Sequence, residues 1–168
     1  MDGRYSLLDR LLKWHFDPGK EHELKILNEV SLFRGLKKHL LRKLLTDLFE
    51  KEYTAGETVF SAGDTGKALY VVMSGSVKII KQANPEERLL TTLGPGSYFG
   101  ELALIRESPR YASAIVEENA RLLIMYKSYF DSLMKGNNTI SSLILMNLAE
   151  SLSTYISSNR CFDDNGKR

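Results

Sequence analysis

The sequence predicts a mainly β fold, a small antiparallel β-roll or jelly roll flanked by N-terminal and C-terminal α-helices. Apolar residues recur at helical spacing at both ends of the chain, and strand-length runs separated by turn residues fill its middle. The chain has 168 residues, of which 43% are hydrophobic and 26% charged. Such a length and composition are typical of one globular domain with a sizeable core.

The amino-terminal third is predicted to be helical. One short helix is expected over residues 5–16, and the Asp-Pro-Gly sequence at 17–19 ends it. A second is expected over residues 20–29. A third follows Gly35 and carries its apolar stripe on Leu36, Leu40, Leu44 and Leu48.

Short strands punctuated by turns are predicted between residues 52 and 126. The strand candidates cover residues 68–73, 77–82, 88–93, 111–116 and 121–126. Turn signals rich in Gly, Pro, Asn and Asp occur at residues 55–56, 63–66, 74–75, 84–85 and 94–96. This number and regularity of strands suit a small roll or barrel.

Helical periodicity returns after residue 126, first around residues 129–134 and then after Gly136. The apolar stripe of the final helix comprises Ile140, Ile144, Leu148, Leu152 and Ile156, broadened by Leu143, Leu145 and Tyr155. Its width suggests that part of the helix covers the roll while part meets a partner helix, in a homodimer or with an effector protein. The predicted organisation is a helical segment at 1–30, a binding domain with its C-terminal helices at 31–160, and a flexible tail at 161–168.

Bulk properties argue against several functional classes. The net charge of +2 is too mild for a surface that tracks nucleic acid, so no direct DNA binding is expected. No apolar run approaches the roughly 20 residues of a membrane span, and the start of the chain lacks signal-peptide features. A single cysteine, Cys161, fits a reducing compartment, so a cytoplasmic location is expected. The three histidines have no metal-ligand spacing, and neither a metal nor a cofactor is expected.

The most informative stretch reads Phe-Gly-Glu-Leu-Ala-Leu at residues 99–104 and Ser-Pro-Arg-Tyr-Ala-Ser at 108–113. Gly100 allows close backbone approach and a turn into a short helix, whose first amides would face an anion. Arg110 adds a full positive charge. Glu101 would repel a phosphate but can accept a hydrogen bond from a sugar hydroxyl. Together these groups suggest that the ligand is a ribose phosphate.

These residues resemble the phosphate-binding cassette of the cyclic nucleotide-binding domain family, in which Phe-Gly-Glu-x-Ala-Leu leads into Pro-Arg-x-Ala-Ser or Pro-Arg-x-Ala-Thr. The resemblance extends upstream to residues 69–77 and 93–99 and covers roughly residues 31–160. It implies cAMP or cGMP as ligand, with Glu101 accepting the ribose 2′-hydroxyl and Arg110 pairing with the cyclic phosphate. It further implies phosphate contacts from the amides near Leu102, Ala103 and Ala112, with Ser113 able to add a hydroxyl.

The resemblance leaves the base contacts open. Tyr111 stands where cGMP-preferring members often carry a threonine, which favours cAMP, although Ser113 keeps cGMP open. The family covers the purine with a residue from the helix after the roll or from a neighbouring segment, and the candidates here are Leu148, Leu152 and Tyr155. These three residues are equally well explained as core or dimer contacts.

Four functional hypotheses follow. The leading one is a stand-alone cyclic nucleotide sensor that relays binding through its C-terminal helices. The alternatives are a regulatory fragment of a transcription regulator, channel or kinase, and a degenerate family member that no longer binds nucleotide. In a non-binding chain, Glu101 and Arg110 would simply pair across a surface turn. An enzyme is not expected, because no nucleophile elbow, Walker loop, metal motif or His-centred triad is present.

Overall fold

The computed structural model describes residues 18–82, 86–136 and 138–163. The expected first helix at 5–16, the turn at 84–85 and the end of the chain after residue 163 lie outside these ranges. The helices are α1 (Pro18–Glu29), a short 3-10 helix (Ser31–Phe33), α2 (Lys38–Asp47), α3 (Leu102–Ile105), α4 (Lys127–Gly136) and α5 (Asn138–Asp163). The strands are β1 (Phe49–Tyr53), β2 (Thr58–Phe60), β3 (Ala68–Gln82), β4 (Glu87–Leu93), β5 (Tyr98–Phe99) and β6 (Ser113–Tyr126).

The strands form one antiparallel six-stranded sheet in the order β1-β6-β3-β4, with β2 also paired to β6 and β5 also paired to β3. The predicted roll flanked by helices is therefore confirmed, although helices hold more of the described residues than strands do. The helices expected at 20–29, after Gly35, at 129–134 and after Gly136 are present. The last helix extends to Asp163, into the segment predicted as a tail.

The turn predicted at residues 74–75 is wrong. The chain continues through it, so that two predicted strands are one 15-residue strand, β3. The pairing of β3 with β6 shifts register on both sides of Ser74, and Gly75 has φ +74°. A side chain at residue 75 would have its Cβ 2.1 Å from the carbonyl oxygen of Asn119 on β6. The glycine therefore marks a bulge where two backbones approach closely.

The strand expected at 88–93 is present as β4, but two other strand predictions need correction. The candidates at 111–116 and 121–126 belong to one strand, β6, which begins only at Ser113. Tyr111 and Ala112 precede it in a bend. The short strands β1, β2 and β5 were not predicted. Their exposed or two- to three-residue segments carry too little apolar alternation to show a period of two.

Alternate residues of the sheet face two different cores. Val71 packs with the helices, whereas Val72 packs inside the roll. The helical core joins α1, α2 and α5 to the sheet through residues such as Leu27, Leu44 and Ile144. The predicted boundary at residue 30 thus falls between segments that share one core.

Polar contacts fix the flanking helices. Arg121 on β6 donates to Glu23 of α1 at 2.5 Å and to Glu50 of β1 at 3.2 Å. The buried Asn147 of α5 donates from Nδ2 to the carbonyl oxygens of Leu32 and Arg34, each at 2.9 Å. Among the described residues, no helix is long and apolar enough to span a membrane.

Candidate ligand-binding site

The motif identified in the sequence has two parts, residues 99–104 and residues 108–113, which a short segment joins. Strand β5 ends at Phe99, Gly100 takes a left-handed conformation with φ +75°, and Glu101 precedes the single turn of α3. Arg106 to Ala112 then lead into β6. A side chain at residue 100 would be strained in this conformation, so the glycine permits the sharp turn between strand and helix.

The backbone of Arg110 is held by the loop between β2 and β3. Its amide donates to the carbonyl of Asp64 at 2.8 Å, and its carbonyl accepts from the amide of Gly63 at 2.9 Å. The Gly66 amide donates to Ser108 at 2.9 Å, on the other side of a bridge between Thr65 and Pro109. The position of the arginine is therefore set by strand-like pairing with a distant loop.

The guanidinium of Arg110 is half-buried and donates to two backbone carbonyls. Nη1 lies 3.0 Å from the oxygen of Gly100, and Nη2 lies 2.7 Å from the oxygen of Ala68. The buried Nε atom has no hydrogen-bond partner among the described residues. Unsatisfied buried donors are costly, so the Arg110 side chain holds one N–H donor whose acceptor none of the described residues supplies.

An aromatic cluster supports the guanidinium. Its Cζ lies 4.1 Å from the centre of the Phe60 ring and 5.8 Å from that of Tyr70. Tyr70 stacks on Phe99 with ring centres 5.2 Å apart. A Cβ at Gly66 would lie 3.2 Å from Cζ, so this glycine also leaves room for the arginine.

Phe60, Gly66 and Tyr70 surround the Arg110 guanidinium but were not among the site residues predicted from the sequence. They come from β2, from the loop that follows it, and from β3, far from Arg110 in the sequence. An aromatic residue in a strand is ordinary, so no sequence signal separated these residues from the rest of the core.

Burial is the main influence on the ionisation of these groups. It lowers the pKa of Arg110, and the nearby Tyr70, Glu101 and Asp64 partly oppose that effect. Arginine still keeps its charge at physiological pH. Burial also raises the pKa of Tyr70, so the ring beside the guanidinium stays neutral.

Glu101 does not pair with Arg110. Its side chain does not cap α3, and its carboxylate forms no hydrogen bond or ion pair within the described ranges. The charge pair across a surface turn, considered as the alternative to a ligand site, is therefore not what these residues form. Each of the two side chains therefore retains hydrogen-bonding capacity that the described residues do not use.

The backbone amides predicted to contact the phosphate differ in whether they already donate a hydrogen bond within the protein. The Ala103 amide already donates to the carbonyl of Gly100 at 3.2 Å. The amides of Leu102 and Ala112 donate to no backbone carbonyl of the described residues. Ala103 and Ala112 are buried, whereas the side chain of Leu102 is exposed.

The side chains of Ser113 and Tyr111 form hydrogen bonds with other groups of the protein. The Ser113 hydroxyl accepts a hydrogen bond from the Ala62 amide at 2.9 Å. Tyr111 is 67% exposed, and its hydroxyl accepts a hydrogen bond from the ammonium of Lys81 on β3. The same ammonium lies 4.1 Å from the centre of the Tyr111 ring.

The three candidates for covering a purine do not share one environment. Leu148 is buried in the helical core, and Leu152 packs against that core from a partly buried position. Tyr155 is 65% exposed on α5. A different α5 residue touches the segment that leads into the motif, because Ser151 Oγ lies 2.9 Å from the hydroxyl of Tyr98 on β5.

Comparison with known proteins assigns this arrangement to a family. Residues 50–137 match the model of the cyclic nucleotide-binding domain, a range that includes the motif, the aromatic cluster and the loop that holds Arg110. The protein belongs to the cyclic nucleotide-binding domain family. The resemblance inferred from the motif is thus confirmed.

Relatives include regulators of transcription and of protein kinases. The CRP-like cAMP-activated global transcriptional regulator of Mycobacterium tuberculosis is 33% identical over 129 residues, which cover 76% of this chain and 58% of the regulator. The crystal structure of Thermus thermophilus catabolite activator protein is similar with a TM-score of 0.73 and 32% identity, covering 80% of this chain and 62% of that one. The regulatory domain of Toxoplasma gondii PKA, solved with cAMP, gives a TM-score of 0.63 and 32% identity, covering 69% and 45%.

The chain spans less than two thirds of the length of each of these proteins. All three are named as regulatory proteins, which is consistent with the expectation that the protein is not an enzyme.

Proposed function

We propose that this protein is a cyclic nucleotide sensor that binds cAMP or cGMP beside Gly100, Glu101 and Arg110. Arg110 pairs with the cyclic phosphate, and Glu101 accepts the ribose 2′-hydroxyl. The amides of Leu102 and Ala112 are available for the remaining phosphate oxygens. Two relatives support cAMP as a ligand, since one is named for activation by cAMP and another was solved with it.

The observation that carries this proposal is the unpartnered Nε of Arg110. The guanidinium is fixed by two carbonyls and an aromatic ring, yet one buried donor remains unused. Arginine binds phosphate through a planar fork of N–H groups, and because Nε is buried, a phosphate would reach this donor only after the side chain shifts. The nearby free carboxylate adds an acceptor that a ribose, but not a simple phosphate, would use.

We further propose that binding is relayed to the C-terminal helices. Leu104 of α3 belongs to the same buried cluster as Phe130 of α4 and Ile144 of α5. The Lys127 ammonium approaches the Leu104 carbonyl at 3.4 Å and binds Asp131 at 2.8 Å, which joins α3 to α4. A ligand that binds one arrangement of α3 more tightly would therefore bias the packing of α4 and α5.

We propose the downstream partner by its class, as a second copy of this chain or an effector protein. A second copy meeting α5, or an effector protein, would receive the signal, because exposed apolar side chains such as Met146 and Ile156 remain on this helix. In this proposal the protein acts in the cytosol as a regulatory module. The alternative is that it serves as the sensing part of a larger transcription regulator, channel or kinase.

Calorimetric titration of wild type and Arg110→Ala with cAMP and cGMP tests the proposal. Wild type is expected to bind at least one nucleotide, and the variant should lose about 2 to 5 kcal/mol of binding free energy with the phosphate's cation. Arg106→Ala is the matched control, because Arg106 is an exposed arginine of the same segment. Its loss should be small, as expected for removal of an exposed charge.

Two results would contradict the proposal. Absence of binding by wild type at millimolar nucleotide would identify a degenerate family member. Equal losses for Arg110→Ala and Arg106→Ala would show that general positive charge, rather than the fixed guanidinium, attracts the ligand.

A further inference from the structure

The pair formed by Lys81 and Tyr111 is a prominent feature near Arg110 to which the proposed function gives no role. Tyr111 is exposed, yet its side chain is held by an ammonium group that contacts the hydroxyl and lies 4.1 Å from the ring centre. An exposed tyrosine side chain loses rotamer freedom when it is fixed in this way. Lys81 therefore orients a flat aromatic surface directly after the arginine.

The strand pattern places Lys81 on the inner side of the roll. Val77 and Ile79 pack in the same cluster as Phe60 and Tyr70, which support the guanidinium of Arg110. Residues two apart on a strand share a face, and the β3–β6 pairing runs without a shift through Ile79 to its end at Ile80. The β3–β4 pairing shifts between the same two residues, but the extra residue lies on β4, so β3 keeps its alternation. Lys81 continues that face toward the end of β3, where its ammonium meets Tyr111.

We propose that Tyr111, held by Lys81, is the surface on which the purine of the bound nucleotide stacks. This inference rests on the proposed function, since it needs a nucleotide phosphate at Arg110. The ammonium contacts the hydroxyl end of the ring, and the 67% exposure of Tyr111 leaves room for a planar base on a ring face. Stacking uses the π face that every base has, so it contributes similarly to cAMP and cGMP.

The proposal assigns base binding to the roll rather than to α5. Leu148 is buried in the helical core and is not available to a ligand. Tyr155 is the remaining aromatic candidate on α5, with an exposure nearly equal to that of Tyr111. The two tyrosines therefore offer a matched comparison.

The test is calorimetric titration of five proteins with cAMP and cGMP. Tyr111→Ala should weaken both nucleotides by a similar factor, between roughly 5-fold and 150-fold, the range for loss of one base–aromatic stack. Tyr111→Phe keeps the ring and should stay within about 3-fold of wild type. Lys81→Met should weaken binding about 2- to 5-fold, as expected for loss of an exposed cation–π contact. Tyr155→Ala should bind like wild type.

Three outcomes would overturn the proposal while wild type still binds. Binding by Tyr111→Ala that equals wild type would contradict stacking on this ring, and a loss confined to Tyr155→Ala would place the base on α5. Equal losses in Tyr111→Phe and Tyr111→Ala would show that the hydroxyl, not the ring, contacts the ligand. Wild type that binds neither nucleotide would overturn the proposed function itself, and this inference with it. Equal melting temperatures of the variants verify that each is folded.

Discussion

The Arg110 side chain fills the space that a side chain at Gly100 would need. A Cβ at residue 100 would lie 2.6 Å from Nη1 of the arginine and 3.2 Å from the Ala68 carbonyl oxygen. That carbonyl also accepts a hydrogen bond from Nη2 of Arg110. The absence of a side chain at residue 100 is therefore a condition for the position of the guanidinium. The glycine and the arginine of the motif depend on each other in the folded protein, in addition to the role that each has toward a ligand.

Gly100→Ala is expected to weaken nucleotide binding by at least about tenfold, or about 1.4 kcal/mol. The methyl group would displace the end of the Arg110 side chain from the Gly100 and Ala68 carbonyls. Gly56→Ala is the control, because Gly56 has φ +87° but no atom within 4 Å of the added Cβ. Titration and thermal unfolding should show similar destabilisation of the two variants but a binding defect only in the first. Equal binding by both would contradict the prediction.

Glu101→Ala is expected to weaken cAMP by about 10- to 150-fold, the equivalent of the 1.5 to 3 kcal/mol of a hydrogen bond to a charged group. The reason is that the carboxylate forms no hydrogen bond or ion pair among the described residues and can accept the ribose 2′-hydroxyl. The measurement is a thermodynamic cycle with 2′-deoxy-cAMP, which wild type and variant should bind equally well. Glu107→Ala, which removes an exposed carboxylate nearby, serves as control. A variant that also loses affinity for the deoxy nucleotide would exclude this role.

Gly75→Ala is expected to destabilise the fold by about 1 to 3 kcal/mol more than Gly63→Ala does. Both glycines have positive φ, so both variants carry the cost of a left-handed alanine. Only at residue 75 does the added Cβ meet a backbone, 2.1 Å from the Asn119 carbonyl oxygen. Urea denaturation of the two variants measures the difference. Equal free energies of unfolding would show that the bulge yields to a methyl group at no cost.

The motif was visible in the sequence because its parts are close together in the chain. Gly100, Glu101 and Arg110 stand within eleven residues, and their types alone indicate a turn, an acceptor and a cation. The helices were also predictable, because long apolar stripes repeat every three to four residues. These features are local, and local periodicity is what a single sequence reports.

The surroundings of Arg110 could not be predicted in the same way. Phe60 and Tyr70 reach the guanidinium only because β2 and β3 are brought beside β6 and β5 by the sheet. The continuity of β3 was missed for a related reason. Ser74-Gly75 has the composition of a turn, and only the close approach of Asn119 from β6 shows that it is a bulge within a strand.

Tyr98→Phe and Ser151→Ala are expected to loosen the contact between β5 and α5. Each removes the same hydrogen bond of 2.9 Å between the two hydroxyl groups, which is partly buried and worth about 0.5 to 1.5 kcal/mol. In the proposed relay this bond connects the strand that leads into Gly100 with the helix that would carry the signal. Both variants should therefore bind cAMP nearly as well as wild type but transmit less of the effect to α5.

Hydrogen exchange of α5 with and without cAMP measures that transmission. Wild type should show a ligand-dependent change in protection around residue 151, and the two single variants and the double variant should all show the same reduced change. The double variant should lose no more stability than either single variant, because both substitutions remove the same hydrogen bond. Ser153→Ala, at an exposed position on the same helix, is the control and should behave as wild type. Additive losses of stability in the double variant would show that the two hydroxyl groups do not share one contact. An unchanged exchange response in Tyr98→Phe would show that this bond does not couple the nucleotide site to α5. Either result would exclude the bond from the relay.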